Sequence, residues 1–151
     1  MDPPRAVSGM LAMSQLCTLL YVSKSLITQP ESINELLTVS RDINIQKEIT
    51  GVLVLNSGRF LQVLEGHPDN VQLIYSRIVK DPRHEEVRLL LNSPISGRRF
   101  GRWSMAFLNP EEVPPILGAT SFDELRLKAD KTAGELLSLI QSMVTSDAAS
   151  G

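Results

Sequence analysis

Hydrophobic residues along the chain gather in five short runs that are rich in β-branched and aromatic side chains, a composition that favours strands. The first run is nearly continuous, which is typical of a strand that is covered on both faces. Ser57 and Gly58 separate the second run from the third, so these two runs predict a β-hairpin with a tight turn. The five predicted strands are 17–23, 50–56, 59–66, 87–96 and 102–108.

Two further segments carry apolar residues at helical spacing. In the first, Ser32 and Glu35 have the spacing of a capping box, and Ile33 begins an apolar stripe that predicts a short helix ending near Arg41. In the second, Pro68 occupies a favoured first helical position, and the apolar stripe that follows is the most regular in the chain. Its members are Val71, Ile74, Tyr75, Ile78 and Val79.

The predicted element order is βαββαββ, and it resembles the split βαβ plan of ferredoxin-like folds, in which both helices lie on one face of the sheet. We therefore expect an α+β fold for residues 15–108. Another capping-box pattern and the leucines that follow it predict one or two additional helices within 109–146. Residues 1–14 and 147–151 are expected to be flexible, frayed tails.

Composition narrows the function classes. The chain has 151 residues, 42 % of them hydrophobic and 21 % charged, as expected for one globular domain. A net charge of −2 is too near neutral for a protein that coats nucleic acid or a membrane surface. No apolar run approaches the roughly 20 residues of a membrane span. We expect a soluble cytoplasmic protein with neither nucleic acid nor membrane as a partner.

Metal sites and catalytic motifs receive no support from the sequence. A single cysteine, Cys17, excludes a disulfide framework within the chain, and with two histidines a zinc site would need carboxylates to complete it. There is no glycine-rich phosphate loop and no nucleophile elbow. His67 and Asp69 are neighbours without an evident nucleophile, so an enzyme would lack a site.

Gln62 is the first residue that does not suit a plain core. It lies in a strand that is otherwise apolar on both faces, and by alternation it shares a face with Phe60 and Leu64. A buried amide needs hydrogen-bond partners, or it costs roughly one to a few kcal/mol. The alternative is a glutamine that faces solvent at a sheet edge, but the pattern slightly favours a functional role.

Other residues are ambiguous on pattern alone. Tyr21 suits a core strand, and Trp103 and Met105 share a face of the last predicted strand, where aromatic and methionine residues are usually core. Asn44 suits a turn or a helix C-cap. Arg77 lies at the edge of an apolar helix stripe, where its aliphatic stem would cover the core.

His84 follows the second predicted helix. The simplest interpretation is that it caps the end of that helix electrostatically or forms hydrogen bonds within the loop that follows.

Together these residues resemble the BLUF family, small bacterial domains that sense blue light using FAD. The resemblance runs from about Leu19 to Phe107 and covers the whole βαββαββ core. Its most specific part is the hairpin together with the second helix. The segments that carry it are LLYVS, SRDIN, ITGVLVLNSGRFLQVLEG, YSRIVKDPRH and WSMAF.

The resemblance implies roles for the matching residues. Tyr21 resembles the photochemical tyrosine of the family, which donates an electron and a proton to the excited flavin. Gln62 resembles the glutamine that switches between that tyrosine and the flavin edge at N5 and the C4 carbonyl. Asn44 resembles the asparagine that bonds the C4 carbonyl and N3. Trp103 and Met105 match the last-strand pair that is linked to signalling.

Further positions match the surroundings of the flavin. Arg77, Asp81 and His84 match positions near the flavin in relatives, with His84 closer to the helix end. Ile43 departs from the pattern, since some relatives carry a polar residue there that reaches the C2 carbonyl side. A flavin ring also needs a flat apolar slot. The candidate walls of that slot are Ile33, Leu37, Ile74 and Ile78.

The implied cofactor is non-covalently bound FAD, and the absent phosphate loop leads us to expect that FMN or riboflavin can substitute for it. The implied function is a light-driven rearrangement of Tyr21, Gln62 and the flavin, signalled to an effector protein or through a homo-oligomer without substrate turnover. We expect the C-terminal helices to pack on the far face of the sheet and to carry this output. A simple capping role for them is equally compatible.

Two other functions stay open. One is a flavin-binding or protein-interaction module of the same fold that has lost light sensing. This alternative is disfavoured because the chain retains the complete set of Tyr21, Asn44, Gln62 and Met105. The other is a small flavin-dependent enzyme, which would need substrate access beside the ring and a second cofactor site. The fold alone does not distinguish between these functions.

Overall fold

The structure, a computed structural model, describes residues 15–56, 58–108, 137–138 and 140–141. Its elements follow the predicted order βαββαββ. The bounds are β1 Leu16–Ser25, α1 Pro30–Gln46, β2 Thr50–Asn56, β3 Arg59–Gly66, α2 Pro68–Val79, β4 His84–Ile95 and β5 Ala106–Leu108.

The strands form one sheet in the order β4-β1-β3-β2-β5. All neighbouring strands are antiparallel except β5, which pairs in parallel with β2. The predicted hairpin joins β2 to β3, and Gly58 in its turn has a φ of 75°, a conformation that glycine adopts without strain. The predicted ferredoxin-like α+β fold is confirmed.

Alternation along the strands divides the interior into two cores, one on each face of the sheet. The helix-side core contains Ile33 and Leu37 of α1 together with Val71 and Ile74 of α2, and it includes one face of β1, β2 and β3. Both helices therefore lie on the same face of the sheet, as predicted.

The far-side core covers the opposite face. Leu20 and Val63 of the inner strands pack there with Phe100, and Leu137 and Ile140 belong to the same cluster. The four described residues between 137 and 141 are helical. This part of the chain thus packs on the face that α1 and α2 leave open. The predicted tails and the boundaries of 109–146 lie outside the described residues and stay predictions.

Helix α1 differs from its prediction at both ends. The capping box of Ser32 and Glu35 is wrong, because the helix begins earlier, at Pro30, whose fixed φ suits a first helical position. Gln29 is the N-cap residue and makes no side-chain capping hydrogen bond. At the other end the helix continues beyond Arg41, which adds more than a turn to its length.

The last predicted strand is shorter than expected. Its final residues form β5, whereas residues 101–105 are irregular. The prediction that Trp103 and Met105 share a face is wrong, since alternation holds only for extended backbone. Met105 packs in the helix-side core, and Trp103 packs against the far-side core.

Gly51 of β2 lies so close to β3 that a side chain does not fit between the strands. A Cβ atom at this position would lie 1.9 Å from the backbone oxygen of Val63. The N–H of Gly51 also donates a hydrogen bond to the carbonyl oxygen of Trp103, with N and O 3.1 Å apart. The same residue therefore permits close pairing of β2 with β3 and holds the irregular segment before β5.

We expect Gly51→Ala to lower the free energy of unfolding by roughly 2–3 kcal/mol, because the backbone of β3 would have to shift. Urea denaturation followed by circular dichroism measures the change. Gly97→Ala is the control, since a Cβ there meets nothing within 4 Å. Equal denaturation midpoints for Gly51→Ala and the wild type would contradict the close approach of the strands.

Candidate functional site

A cleft opens on the helix side of the sheet, between α1 and α2. Its cavity volume is about 140 Å³, and the cleft is partly open to solvent. Its apolar lining comes from both helices and from the sheet: Leu36, Val39, Ile43, Leu53, Phe60, Leu64, Ile74 and Ile78. Its other lining residues are Tyr21, Ser40, Asn44, Gln62, Arg77, Asp81, Arg83 and His84.

Tyr21 and Gln62 form the polar centre of the cleft floor. They are directly opposite each other in the register of β1 and β3, and they are 3 % and 6 % exposed. The Tyr21 hydroxyl donates a hydrogen bond to Oε1 of Gln62. Gln62 is therefore buried in an inner strand, and the alternative of a solvent-facing glutamine at a sheet edge is wrong.

Burial raises the pKa of Tyr21 well above its usual value. Neighbouring Tyr75 and Asp81 act in the same direction, because a tyrosinate would be repelled by their negative forms. The phenol is thus held neutral, and its hydroxyl keeps its proton for the hydrogen bond to Gln62.

The amide nitrogen of Gln62 has a much weaker partner than the amide oxygen. Nε2 donates to Sδ of Met105 over 3.4 Å, and a thioether sulfur is a weak acceptor. A buried amide that spends its donor on sulfur has unused hydrogen-bonding capacity. The cleft therefore presents a donor that a ligand with a carbonyl or ring nitrogen can use.

Asn44 and Arg41 join α1 to the irregular segment before β5. Nδ2 of Asn44 donates to the carbonyl oxygen of Ser104 over 2.6 Å, and Nε of Arg41 donates to the carbonyl oxygen of Met105 over 3.0 Å. Asn44 is 2 % exposed and lies within α1, so its interpretation as a turn or C-cap residue is wrong. The backbone beside Met105 is consequently fixed by two side chains of α1.

His84 supports the back of the cleft. Its Nε2 is 2.6 Å from the carbonyl oxygen of Ile78, so Nε2 must be the donor, and its Nδ1 is 2.7 Å from the Ser23 hydroxyl. Its ring meets that of Tyr21 edge to face, with centroids 6.1 Å apart. His84 therefore contacts the end of the second helix through a hydrogen bond, while its predicted electrostatic capping stays a prediction.

Asp81 and Arg83 form an ion pair that lines the cleft. Two guanidinium nitrogens of Arg83 bond both carboxylate oxygens of Asp81, and the backbone N–H of Arg83 adds a further bond. These bonds hold the pKa of Asp81 below its usual value. Arg77 also lines the cleft, with an exposed side chain. Two cationic groups therefore stand at this side of the cleft.

The structure brings together most of the predicted flavin-contacting residues. The residues of that set that line the cleft are Tyr21, Asn44, Gln62, Ile74, Arg77, Ile78, Asp81 and His84. Ile33 and Leu37 are buried in the helix-side core and do not line the cleft, and Trp103 packs on the opposite side of the sheet. The roles assigned to all of these residues stay predictions.

Sequence reasoning missed the wall that α1 contributes and also missed Arg83. Leu36, Val39 and Ile43 follow one another at spacings of three and four, and Val39 is 53 % exposed. This second apolar stripe extends beyond the predicted end of the helix, and its continuation was the available signal. Arg83 carried no signal of its own beyond the short spacing to Asp81.

Comparison with known families decides what kind of site this is. The family model described as "Sensors of blue-light using FAD", BLUF, matches residues 16–106. The chain belongs to the BLUF family. BLUF proteins are photoreceptors that sense blue light using FAD, and this chain carries that sensor domain.

Similar proteins include larger regulators. The chain is 37 % identical over 91 residues to the blue light- and temperature-regulated antirepressor BluF of Escherichia coli K12, covering 60 % of this chain and 23 % of that protein. It is 31 % identical over 147 residues to the photoactivated adenylate cyclase subunit beta of Euglena gracilis, covering 89 % and 17 %. The chain thus spans less than a quarter of these curated relatives.

A solved structure of similar size also matches. The dark-state structure of BlrB, a BLUF protein, is 30 % identical and superposes with a TM-score of 0.73, covering 86 % of this chain and 98 % of that one. Within the part of this chain that the structure describes, no helix is long and apolar enough to span a membrane. The same residues contain no cluster of His, Cys, Asp or Glu suited to a metal ion.

The cleft suits FAD by its own chemistry. A flat ring needs apolar walls, and Ile43 of α1 and Ile78 of α2 provide apolar lining from the two helices. The edge of the ring needs polar partners, and the under-used amide donor of Gln62 lies on the floor between them. Apolar walls together with a weakly engaged amide donor are what a flat ring with a polar edge needs.

Proposed function

We propose that Tyr21 and Gln62 are the photoactive pair of this BLUF sensor and that the signal leaves through residues 98–105 toward the C-terminal part of the chain. The observation that carries the proposal is the hydrogen bond from the buried Tyr21 hydroxyl to Gln62, whose amide nitrogen meets only the sulfur of Met105 among the described residues. Because one of these hydrogen bonds is strong and the other weak, the pair can change to a second arrangement of hydrogen bonds.

FAD, when bound, supplies blue-light absorption and an excited state that accepts an electron. Tyr21 is the readily oxidised side chain among the residues that line the cleft, and its hydroxyl proton has Oε1 of Gln62 as its hydrogen-bonded acceptor. Loss of an electron would make the Tyr21 phenol strongly acidic, so with a flavin bound the electron would go to the flavin while the proton would pass along the hydrogen bond to Gln62. Their return leaves Tyr21 chemically unchanged.

Gln62 provides the change that persists after Tyr21 has regained its electron and proton. Rotation of its amide and tautomerisation both exchange the donor and acceptor ends that face Tyr21 and Met105, so both alternatives change the same two contacts. In a low-dielectric site each unsatisfied group costs free energy comparable to a lost hydrogen bond, which makes the exchanged form metastable. Return to the starting form in darkness completes the cycle.

We infer that Asn44, Arg77 and Asp81 contribute polar contacts at the cleft, with Arg83 as an addition, and that Ile74 and Ile78 form a wall. The cofactor ring would then provide most of the recognition. We further propose that FMN and riboflavin can replace FAD, because the polar groups of the cleft cluster on its floor and at the Asp81–Arg83 side.

The output proposal rests on contacts between the irregular segment and the C-terminal residues. Nη1 of Arg99 donates to Oε1 of Gln141 over 3.1 Å, and Phe100 shares the far-side core with Leu137 and Ile140. A change at Met105 is thereby linked to the C-terminal part of the chain. We propose that this part acts on an effector protein or a second copy, and that the chain turns over no substrate. A cytoplasmic location stays a prediction from composition.

We expect the purified protein to bind an oxidised flavin whose absorption bands shift slightly to the red under blue light and relax in darkness. Tyr21→Phe should keep the flavin and lose the shift, since the electron and proton donor is gone, and Gln62→Leu should do the same. Absorption spectra before and after illumination measure this.

Tyr75→Phe is the matched control for that experiment. The ring centroid of Tyr75 lies 5.8 Å from that of Tyr21. The Tyr75→Phe protein should show the same light-induced shift and dark return as the wild type. A normal shift in Tyr21→Phe would refute the assigned role. Bound flavin without any shift in the wild type would indicate a module that has lost light sensing.

Titration of flavin-free protein tests cofactor exchange. If the ring dominates recognition, the dissociation constants of FAD, FMN and riboflavin should agree within about tenfold, which is 1.4 kcal/mol. Quenching of flavin fluorescence measures all three. A much tighter complex with FAD would show that the adenosine phosphate part is recognised and would contradict the proposed exchange.

The output proposal predicts a light-dependent assembly. Light scattering on size-separated protein, in darkness and under blue light, should show a change in mass or in bound partner. Arg99→Ala should weaken this response while leaving the red shift of the flavin intact, because Arg99 is outside the cleft. Loss of the red shift in Arg99→Ala would contradict an output role that is separate from photochemistry.

A further inference from the structure

Glu65 is a fully buried carboxylate that the light-sensing cleft does not use. It lies near the end of β3 and is 0 % exposed. Its Oε2 accepts a hydrogen bond from the backbone N–H of Arg99 over 2.7 Å. Its Oε1 accepts from the N–H of Phe100 over 2.9 Å and from the Thr50 hydroxyl over 3.1 Å.

Arg98 reinforces the same contact. Its Nη1 donates to the Thr50 hydroxyl oxygen over 2.8 Å and to the backbone oxygen of Glu65 over 2.9 Å. Its Nη2 donates to the backbone oxygen of Glu48 over 2.8 Å. Residues 98–100 are thus tied to the ends of β2 and β3. We call this set the Glu65 clasp: Glu65, Thr50, Arg98 and the N–H groups of Arg99 and Phe100.

The segment that follows the Glu65 clasp leads directly to the cleft. Residues 101–105 belong to no strand or helix. The backbone carbonyl oxygens of residues 103, 104 and 105 accept hydrogen bonds from Gly51, Asn44 and Arg41, respectively. The segment is therefore fixed at its start by the clasp and at its end by β2 and α1. The side chain at its end, Met105, is the acceptor for the Gln62 amide.

Burial of a carboxylate is costly unless it is fully hydrogen bonded. Three donors satisfy Glu65, and two of them are backbone N–H groups of one turn. Such a site favours one position of that turn over all others, because the charge of Glu65 loses its hydrogen-bond donors when the turn moves away. An apolar residue at this position would cover the turn without specifying where it lies.

We propose that Glu65 is a positioning residue that fixes residues 98–105 and thereby keeps Met105 against Gln62 in the dark state. This proposal rests on the proposed function of the Tyr21–Gln62 pair. Glu65 itself touches neither the cleft nor its lining side chains in the contacts described above. Its effect passes through the backbone of a single short segment.

The test replaces Glu65 by glutamine in the flavin-loaded protein. Glu65→Gln keeps the size of the side chain but turns one acceptor into a donor, which then faces a donor of the Glu65 clasp. The dark return of the light-shifted flavin spectrum should become at least about threefold faster, because a looser Met105 lowers the barrier between the two Gln62 arrangements.

Trp103 supplies a second readout that needs no light cycle. It is the only tryptophan of the chain, and it lies between the Glu65 clasp and Met105. In darkness, quenching of its fluorescence by acrylamide should increase at least about twofold in Glu65→Gln, since a freed segment exposes the half-buried ring. This readout tests the Glu65 clasp even if the wild type shows no red shift. Absence of the red shift would contradict the proposed function without deciding the role of the clasp.

Leu90→Ala is the control for general loss of stability. Leu90 is 6 % exposed and belongs to β4; it shares the far-side core with Phe100 but takes part in none of the hydrogen bonds of the Glu65 clasp. It should lower the denaturation midpoint without changing the dark return or the Trp103 quenching. If both variants change these readouts in proportion to their loss of stability, Glu65 is merely structural and the proposal is overturned. An unchanged dark return in Glu65→Gln overturns it equally.

Thr50→Val keeps the test decisive if Glu65→Gln does not fold. It removes the hydroxyl that bridges Glu65 and Arg98 but retains both backbone N–H bonds to the carboxylate. We expect the same directions of change with smaller size. A dark return and a Trp103 quenching equal to those of the wild type would count against the proposal.

Discussion

The fold depends on one constraint: a phenol and an amide face each other across two inner strands, away from water. In such surroundings each group must satisfy the other, because an unmet buried donor or acceptor costs about as much as a hydrogen bond contributes. Tyr21 and Gln62 meet this condition on one side only, since the remaining amide donor is left with sulfur. The cleft, its apolar walls and the anchored segment beside Met105 all surround this incompletely satisfied pair.

Much of this arrangement could be predicted from the sequence because it depends on local pattern. The hairpin followed from Ser57 and Gly58 between two apolar runs, and the second helix followed from Pro68 and its regular stripe. The face of Gln62 followed from alternation in a strand that is extended throughout. The family resemblance rested on the same segments, and the match over 16–106 agrees with it.

The remaining features depend on contacts that join distant parts of the chain. Alternation failed at Trp103, because the carbonyls around it are held by side chains from α1 and by the backbone of β2. The role of Glu65 could not be predicted, because two of its partners are backbone N–H groups, which no residue type reveals. Ile33 and Leu37 were assigned to the cleft from the stripe, but α1 turns that stripe to the core and a second one to the cleft.

The position of β5 has a consequence for the path of the chain before it. β4 and β5 lie at opposite edges of the sheet, so residues 96–105 cross its whole width. Four strand spacings amount to roughly 19 Å, whereas ten residues can reach roughly 33 Å when extended. The crossing therefore has slack, and hydrogen bonds rather than length select its route. A backbone with spare length and a route chosen by a few bonds can take another route without breaking any strand pairing, so the sheet stays whole while the crossing segment before β5 is rerouted.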